Sequence, residues 1–418
     1  MRRPTLSALI ALLAATSLLV GSLAVPAGGQ GNRGSKDLYV IGGYDVAGES
    51  PVAFNYFDDG AKLAVRDLEK RGYNVRYERI PSSATLASSA EQAFLAASSK
   101  NPDAYISLAA GNVLIPVGPK VASTDLPFFA LSSPTEAVKS GPSGGDNIFL
   151  LRPLNEQSYS KLLQFVCTDL RKQQNLKDVK IALAVVNAPI GTVAEQTVKK
   201  EIADYNHCEV VTTQTNGVTA TDLTQQVLGI KASGANVVVV GNFPAPLGVL
   251  VNQLRQNGVT IPVVSTTSLD IAVTTSGSIT NYDNLWNMDD CAPEIDKDKK
   301  AQRFVKDFNA EFGVAPNFLS ALVYDAFFIT AKAVEKVGHD PVKINREIAA
   351  TNYDGVCDYT NDENNVLSQS VTMYKYKSPS DKTKVLVKKY PIDFIPNDEL
   401  STATTGAPTA PTTTASPR

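Results

Sequence analysis

Two histidines, one tryptophan and four cysteines are all that 418 residues hold of these types. The shortage of histidine bears first on catalysis. His207 stands beside Cys208 at the close of a helical stretch, and His339 lies in the polar segment VGHDP, so both read as surface residues and not as general bases. There is no Gly-x-Gly-x-x-Gly fingerprint and no Walker loop, which leaves a nucleotide without a cradle. No two cysteines stand at Cys-x-x-Cys spacing, and DDCAPEIDKDKK mixes acids with lysines as at a solvated helix start. No metal site and no cofactor is therefore expected. GPSGG at 141–145 matches the Gly-x-Ser-x-Gly pattern of hydrolases, but it follows polar EAVKS and precedes apolar NIFLLR. A nucleophile elbow needs a strand before the serine and a helix after it, so this reads as a loop. We expect a protein that is not an enzyme.

Charge of one sign is also lacking. A formal net charge of -3, with basic residues scattered among acids, gives no footprint for nucleic acid. After the N-terminus no long apolar run recurs, so nothing else is expected to span a membrane.

The N-terminus itself is distinctive. MRR, then LSALIALLAATSLLVGSLAV, then VPAGG supply the basic, apolar and small-residue parts of an export signal, read as residues 1–27 with cleavage after Ala27. The competing reading is an uncleaved membrane anchor. No lipobox cysteine follows the apolar run. The chain is thus expected outside the cytoplasm, in the periplasm or cell envelope, or secreted. Four cysteines in an oxidising compartment permit two disulfides and three connectivities, among which spacing does not choose. We expect Cys167–Cys208 and Cys291–Cys357. Residues 397–418, rich in Thr, Pro and Ala, hold too little apolar surface to offset ordering and read as a disordered tail.

Between these ends, strand and helix patterns alternate. DLYVIGG, NVRYERI, AYISLAA and LPFFALSS read as strands, separated by helical FDDGAKLAVRDLEKRGY and TLASSAEQAFLAASS, the latter with Leu86, Phe94 and Leu95 on its apolar side. A second series runs from IFLLRP through VKIALAVVN, CEVVTTQ, NVVVVGN and IPVVSTT. Its Val/Ile-rich strands suit a parallel sheet covered on both faces. Two long helices follow, then VTMYKYK and KVLVKKYPI, which alternate like an antiparallel pair. The expected fold is α/β, with two doubly wound, Rossmann-like lobes.

Ligands of such sheets gather beyond the C-terminal ends of the strands. There the sequence places Tyr44, Gly111 and Asn112, the hydroxyls of Ser132, Ser133 and Thr135, and the loops NAPIG, GNFPAP and STTSLD. Hydroxyls and free N–H groups at helix starts can hold a carboxylate, while Tyr44 and Phe243 can cover an apolar portion. Ser, Thr and Asn also favour caps and turns, which is the competing reading of each loop.

The order and spacing of NVLIPVGPKVASTDLPFFALSSPTEAV, IFLLRPLNEQSYSKLLQFV, TDLTQQVLGIKASGANVVVVGN, ALVYDAFFITAKAVEKVG and YDGVCDYTNDEN resemble the type I periplasmic-binding-protein superfamily. The likeness is to its leucine/isoleucine/valine-binding group of ABC-transporter substrate-binding proteins and runs from Lys36 to Tyr390. It implies a two-lobed clamp on a multi-strand hinge, with lobe 1 at 36–151 plus about 273–350 and lobe 2 at 152–272 plus about 351–396. It also implies a membrane permease as partner, a small-molecule ligand and a monomeric state. The family's ligand positions fall on Gly111 with Asn112, on Ser132 and Ser133, with Pro134 displacing the usual threonine to Thr135, on Ile190 before Gly191, and on Phe243. The acid that holds an amino acid's ammonium falls on Thr267. A buried ammonium without a carboxylate is costly, so the expected ligand is a small polar metabolite, an amino acid or a small organic acid or amide. The alternatives are a receptor-like sensor of the same fold and, more remotely, a secreted hydrolase.

Overall fold

The structure, a computed structural model, describes residues 33–44, 51–83, 86–109, 111–132, 146–274, 278–368 and 370–396, with the backbone alone at 51–54 and 112. The chain divides into two units, Met1–Arg33 and Gly34–Arg418, and the second carries everything below. The expected export signal and tail lie outside the described residues.

Two sheets organise that unit. The first joins β1 (Asp37–Tyr44), β2 (Asn74–Pro81), β3 (Ala104–Ser107), β4 (Phe128–Ala130) and β5 (Ile148–Leu150) in the order β2-β1-β3-β4-β5, all parallel. In β1, Leu38 and Val40 enter the core on one face, and Tyr39 and Ile41 the core on the other. A two-residue side-chain period demands that split when helices cover both faces. On one face lie the helices Pro51–Glu69, Lys299–Phe312 and Phe318–Val337; on the other, Ala87–Ser98 and Gly111–Ala122. In Ala87–Ser98 the buried face is Ala90, Ala93, Phe94 and Ala97, while Leu86 and Leu95 point to solvent. Small alanines let the helix sit close to the sheet, so the apolar side differs from the expected one at both leucines.

The second sheet joins β6 (Val179–Val186), β7 (Cys208–Asn216), β8 (Val237–Gly241), β9 (Val263–Thr266), β10 (Leu285–Asp289), β13 (Ser370–Ser378) and β14 (Asp381–Pro391) in the order β14-β13-β10-β9-β8-β6-β7. β6 to β10 run parallel, and β13 and β14 form the expected antiparallel pair. Val237 and Val239 of β8 face one core, Val238 and Val240 the other. β11 (Asn352–Asp354) and β12 (Asp358–Thr360) make a small separate ribbon.

Sheet and core membership moves two of the expected crossings. β10 bonds between β9 and β13, so 285–289 belongs with the second sheet and not the first. Tyr353, Tyr359 and Leu367 pack with Phe327 and Phe328 beneath the first sheet, not with the second. Strand β10 thus bonds within the second sheet, while the segment between it and β13 contributes to the core of the first. Two disulfides, Cys167–Cys208 and Cys291–Cys357, match the expected pairing. The former ties the helical segment Phe165–Leu170 to the start of β7; the latter ties the residue after Asp290 to the loop before β12. Among the described residues, no helix is long and apolar enough to cross a membrane.

Candidate functional site

The C-terminal edges of the two sheets meet at Arg152, two residues beyond β5. Its Nε donates to Asp290 Oδ2, just past β10; its Nη2 donates to Thr267 Oγ1 at 2.7 Å, just past β9; its Nη1 reaches the Leu131 carbonyl at 3.4 Å, just past β4. One guanidinium therefore bonds four strand ends, two of each sheet, counting its own. The ring of Phe318, at the start of the helix Phe318–Val337, lies under it at 5.4 Å. A guanidinium has five N–H groups, so two remain beyond these bonds. Asp290 is buried, which pushes its carboxyl above the usual range, while the Arg152 charge pulls it back.

Three buried donors without partners neighbour residues of this junction. Ser132 Oγ is unbonded, one residue from Leu131. Asn317 Nδ2 is unbonded, one residue from Phe318. The Tyr159 hydroxyl, also unbonded by strict geometry, lies beside Thr266, and burial pushes it up to about 12. Each therefore sits next to a residue that Arg152 touches or to its immediate neighbour. An unpaired buried donor costs about 1–3 kcal/mol, so each of the three is open to an acceptor.

The expected site residues divide. Thr267 and the Leu131–Ser132 strand end are drawn together by Arg152. Tyr44 is fully buried, and its hydroxyl donates to Asp58 Oδ1 at 2.8 Å and lies 3.1 Å from the Tyr77 hydroxyl. It belongs to a core network that also takes in Lys62 and Arg79, and burial raises its pKa. Gly111 opens the helix Gly111–Ala122, which touches the helix Pro189–Glu201 carrying Ile190. Ile190 itself packs against the core of the second sheet. The next residue must be glycine, because a Cβ at Gly191 would collide with the Val186 carbonyl. Phe243 is half-buried at the start of the helix Pro244–Gln256, its N–H held by Asn242 Oδ1 at 2.9 Å, with Asn242 bonded in turn to Asn216 at 2.6 Å. Ser133, Thr135 and the GPSGG loop lie outside the described residues, as does the Asn112 side chain.

Sequence reasoning missed Arg152. The available signal was its place: a lone arginine directly after the apolar run IFLL at a parallel strand's C-terminal end. It also missed a second ionic group across the same sheet. Lys384 of β14 bonds Asp270 Oδ1 at 3.0 Å and Glu294 Oε1 at 2.7 Å, with Asp289 Oδ2 at 3.9 Å. Tyr374 donates to Asp289 at 2.7 Å and Tyr376 to Asp270 at 3.3 Å. Burial, with Asp270 beside it, holds Asp289 well above the usual carboxylate range, and burial raises Glu294. Burial alone would lower the Lys384 ammonium, but the three acids outweigh it and raise it. DDCAPEIDKDKK is thus corrected in part. Asp289 and Asp290 are buried at strand β10, and only Asp298 caps a helix, accepting from the Lys300 N–H at 2.7 Å. Among the described residues no group of His, Cys, Asp and Glu suits a metal ion.

The histidines serve structure. His207 lies 2.8 Å from Asp178 at the surface, whereas His339, expected there too, is nearly buried and binds Asp103 at 2.8 Å.

The profile of a family described as periplasmic binding protein matches residues 43–383. No curated protein matches the sequence. Among solved structures, the chain is similar to the branched-chain amino acid transporter substrate-binding protein LivJ of Streptococcus pneumoniae in complex with isoleucine. The identity is 16%, the TM-score 0.72, with 84% of this chain and 99% of that one covered. A solute-binding protein of an ABC transporter from Rhodopseudomonas palustris BisB5 in complex with 3,4-dihydroxybenzoic acid is 14% identical, with a TM-score of 0.72 over 87% and 99% of the chains. Another from R. palustris, in complex with 4-hydroxybenzoate, is 16% identical, with a TM-score of 0.72 over 85% and 97%. At these identities the likeness is one of fold.

Proposed function

The chain belongs to the periplasmic binding protein family, and on that membership we propose that it is the extracytoplasmic solute-binding protein of an ABC importer, capturing a small organic acid between its lobes and presenting it to a membrane permease. The observation that carries the choice of ligand is the surplus of donors around Arg152. Two guanidinium N–H groups, the Ser132 hydroxyl, the Asn317 amide and the Tyr159 hydroxyl call for acceptors. A carboxylate supplies two oxygens with about four acceptor sites. At the position where the family places an acid for an ammonium stands Thr267, whose oxygen already accepts from Arg152. An amino acid would leave its ammonium short of a partner there.

Closure follows from population shift. A ligand that bonds strand ends of both lobes stabilises the arrangement in which both reach it. The solved structures with aromatic acids, at their low identity, are consistent with a fold that accommodates such ligands.

A thermal-shift panel on the mature chain tests the reading, with 4-hydroxybenzoate, benzamide, isoleucine and aliphatic monocarboxylates. An acid at a hundredfold excess over its Kd stabilises by about 2.7 kcal/mol. Acids are expected to raise the melting temperature and Arg152→Gln to abolish the effect. A shift with isoleucine and none with any acid would overturn the choice of ligand.

A further inference from the structure

At the opposite, N-terminal edge of the first sheet lies a cavity of about 800 Å³. It opens between the turn after the helix Pro51–Glu69, the helices Lys299–Phe312 and Phe318–Val337, and the loop Tyr353–Val356. Lys36 and Tyr73, which line it, precede β1 and β2, so it is remote from the strand ends that Arg152 joins. Its size falls within the roughly 300–1,000 Å³ of small-molecule sites.

The lining is not balanced in charge. Three of its acids are paired with cations, Asp67 with Arg66 at 2.9 Å, Asp307 with Arg303 at 3.6 Å and Asp354 with Lys300, while Glu335 accepts from the Tyr73 hydroxyl at 2.6 Å. The buried Asp325 accepts the N–H groups of Val356 at 3.0 Å and Cys357 at 2.8 Å. Three lining cations have no carboxylate among the described residues: Arg71, Lys332 and Lys36, whose ammonium donates to the Arg71 carbonyl at 3.3 Å. Arg71 lies over the ring of Phe328 at 4.6 Å, and Lys332 over the ring of Tyr353 at 4.5 Å. Both side chains are exposed, while the rings beneath are buried. The buried rings hold these exposed cations in place from beneath, and the unpaired charge left at the cavity suits a negative molecule.

We propose that this cavity is a second small-molecule site, which takes a small organic anion with its charge on Arg71 and Lys332, beside Lys36. The site is independent of the interlobe reading. The test titrates the full chain calorimetrically with 1-naphthoate and with uncharged 1-naphthamide. It compares the parent, Arg152→Gln, the double variant Arg71→Gln/Lys332→Gln, and the triple combination. The proposal expects Arg152→Gln to keep one naphthoate site, the triple variant to lose at least tenfold in affinity for it, and naphthamide to bind neither. Should Arg152→Gln not fold, the parent and the double variant suffice, since the double variant should then bind one equivalent fewer than the parent. Binding that Arg71→Gln/Lys332→Gln leaves untouched, or a crystal soak with density only at the interlobe strand ends, overturns the second site and leaves the interlobe reading standing. Loss of interlobe binding alone overturns that reading and leaves this one.

Discussion

Two ionic groups, one where the two sheets meet and one within the second sheet, are built to opposite plans. At Arg152 one cation meets one carboxylate, and the groups left unbonded around it are donors. At Lys384 one cation meets three carboxylates, and the atoms left unbonded, on Asp270, Glu294 and Asn287, are acceptors. The first joins strand ends of both lobes; the second joins β10, β14 and the helix Ser268–Thr274 around one sheet. A surplus of donors at a junction invites an acidic guest. A surplus of buried acceptors inside one lobe instead invites protons, and with Asp289 and Glu294 held above the usual range it retains them more readily than free carboxyls would. The two groups thus differ in what they leave unbonded, donors at one and acceptors at the other.

The comparison breaks most visibly at Lys384. Lys384→Met strands three buried carboxylates, and removing one partner of a buried ion pair costs about 3–5 kcal/mol. The expected loss, read by denaturant unfolding at neutral pH, is about 4 kcal/mol. It shrinks in acid, because the raised pKa values of Asp289 and Glu294 mean that protons neutralise the stranded charges first. A variant within 1 kcal/mol of the parent would show that the ammonium does not hold this cluster.

At Arg152 the same operation has a repair. Arg152→Gln should cost about 3 kcal/mol by leaving Asp290 unpaired. Adding Asp290→Asn removes the orphan charge and should recover most of that stability. Ligand binding should stay lost in both variants, by thermal shift with 4-hydroxybenzoate. A double variant that binds the acid normally would mean that Arg152 is an ordinary structural pair.

Asp325 sharpens the contrast as a third plan, a buried carboxyl met by backbone N–H groups. Burial pushes it up to about 8. A carboxyl raised in the fold contributes stability that is complete below its unfolded value near 4 and is lost as pH rises towards its folded value. The slope within that window is at most about 1.4 kcal/mol per pH unit. Asp325→Asn should flatten unfolding free energy between about pH 4 and 8; an unchanged slope sinks the assignment. The smallest effect is at Ser132. Ser132→Ala should leave stability within about 0.5 kcal/mol, since its hydroxyl has no partner. It should weaken acid binding about tenfold, the worth of one hydrogen bond to a charged group.

The architecture was legible because periodicity is local. Apolar runs such as VVVV of β8 announce strands covered on both faces, and position gave Ser132 and the loop STTSLD, within which the family resemblance singled out Thr267. What was not legible depends on distant partners. Arg152 and Thr267 are 115 residues apart, and no spacing rule links them. Lys384 was hidden by its strand. In β14 the apolar Val385 and Leu386 are both exposed while the side chain of Lys384 is buried. The ladder between β13 and β14 shifts register between Met373 and Tyr374 and again between Tyr376 and Ser378, and a one-residue shift exchanges the faces. Tyr44 misled for a related reason: its place at a strand end was right, but Asp58, Tyr77 and Arg79 turn its hydroxyl into the core.

The crossings between sheets carry a consequence for how the molecule is made. The core beneath the first sheet buries Leu38 and Val40 together with Phe304, Phe327, Tyr359 and Leu367. The strands synthesised first thus wait, half covered, until nearly all of the chain has emerged. Long-range contacts of this kind are slow to form. A chain that cannot finish its first lobe early leaves β1 to β5 exposed to aggregation whenever the last third of the protein is truncated.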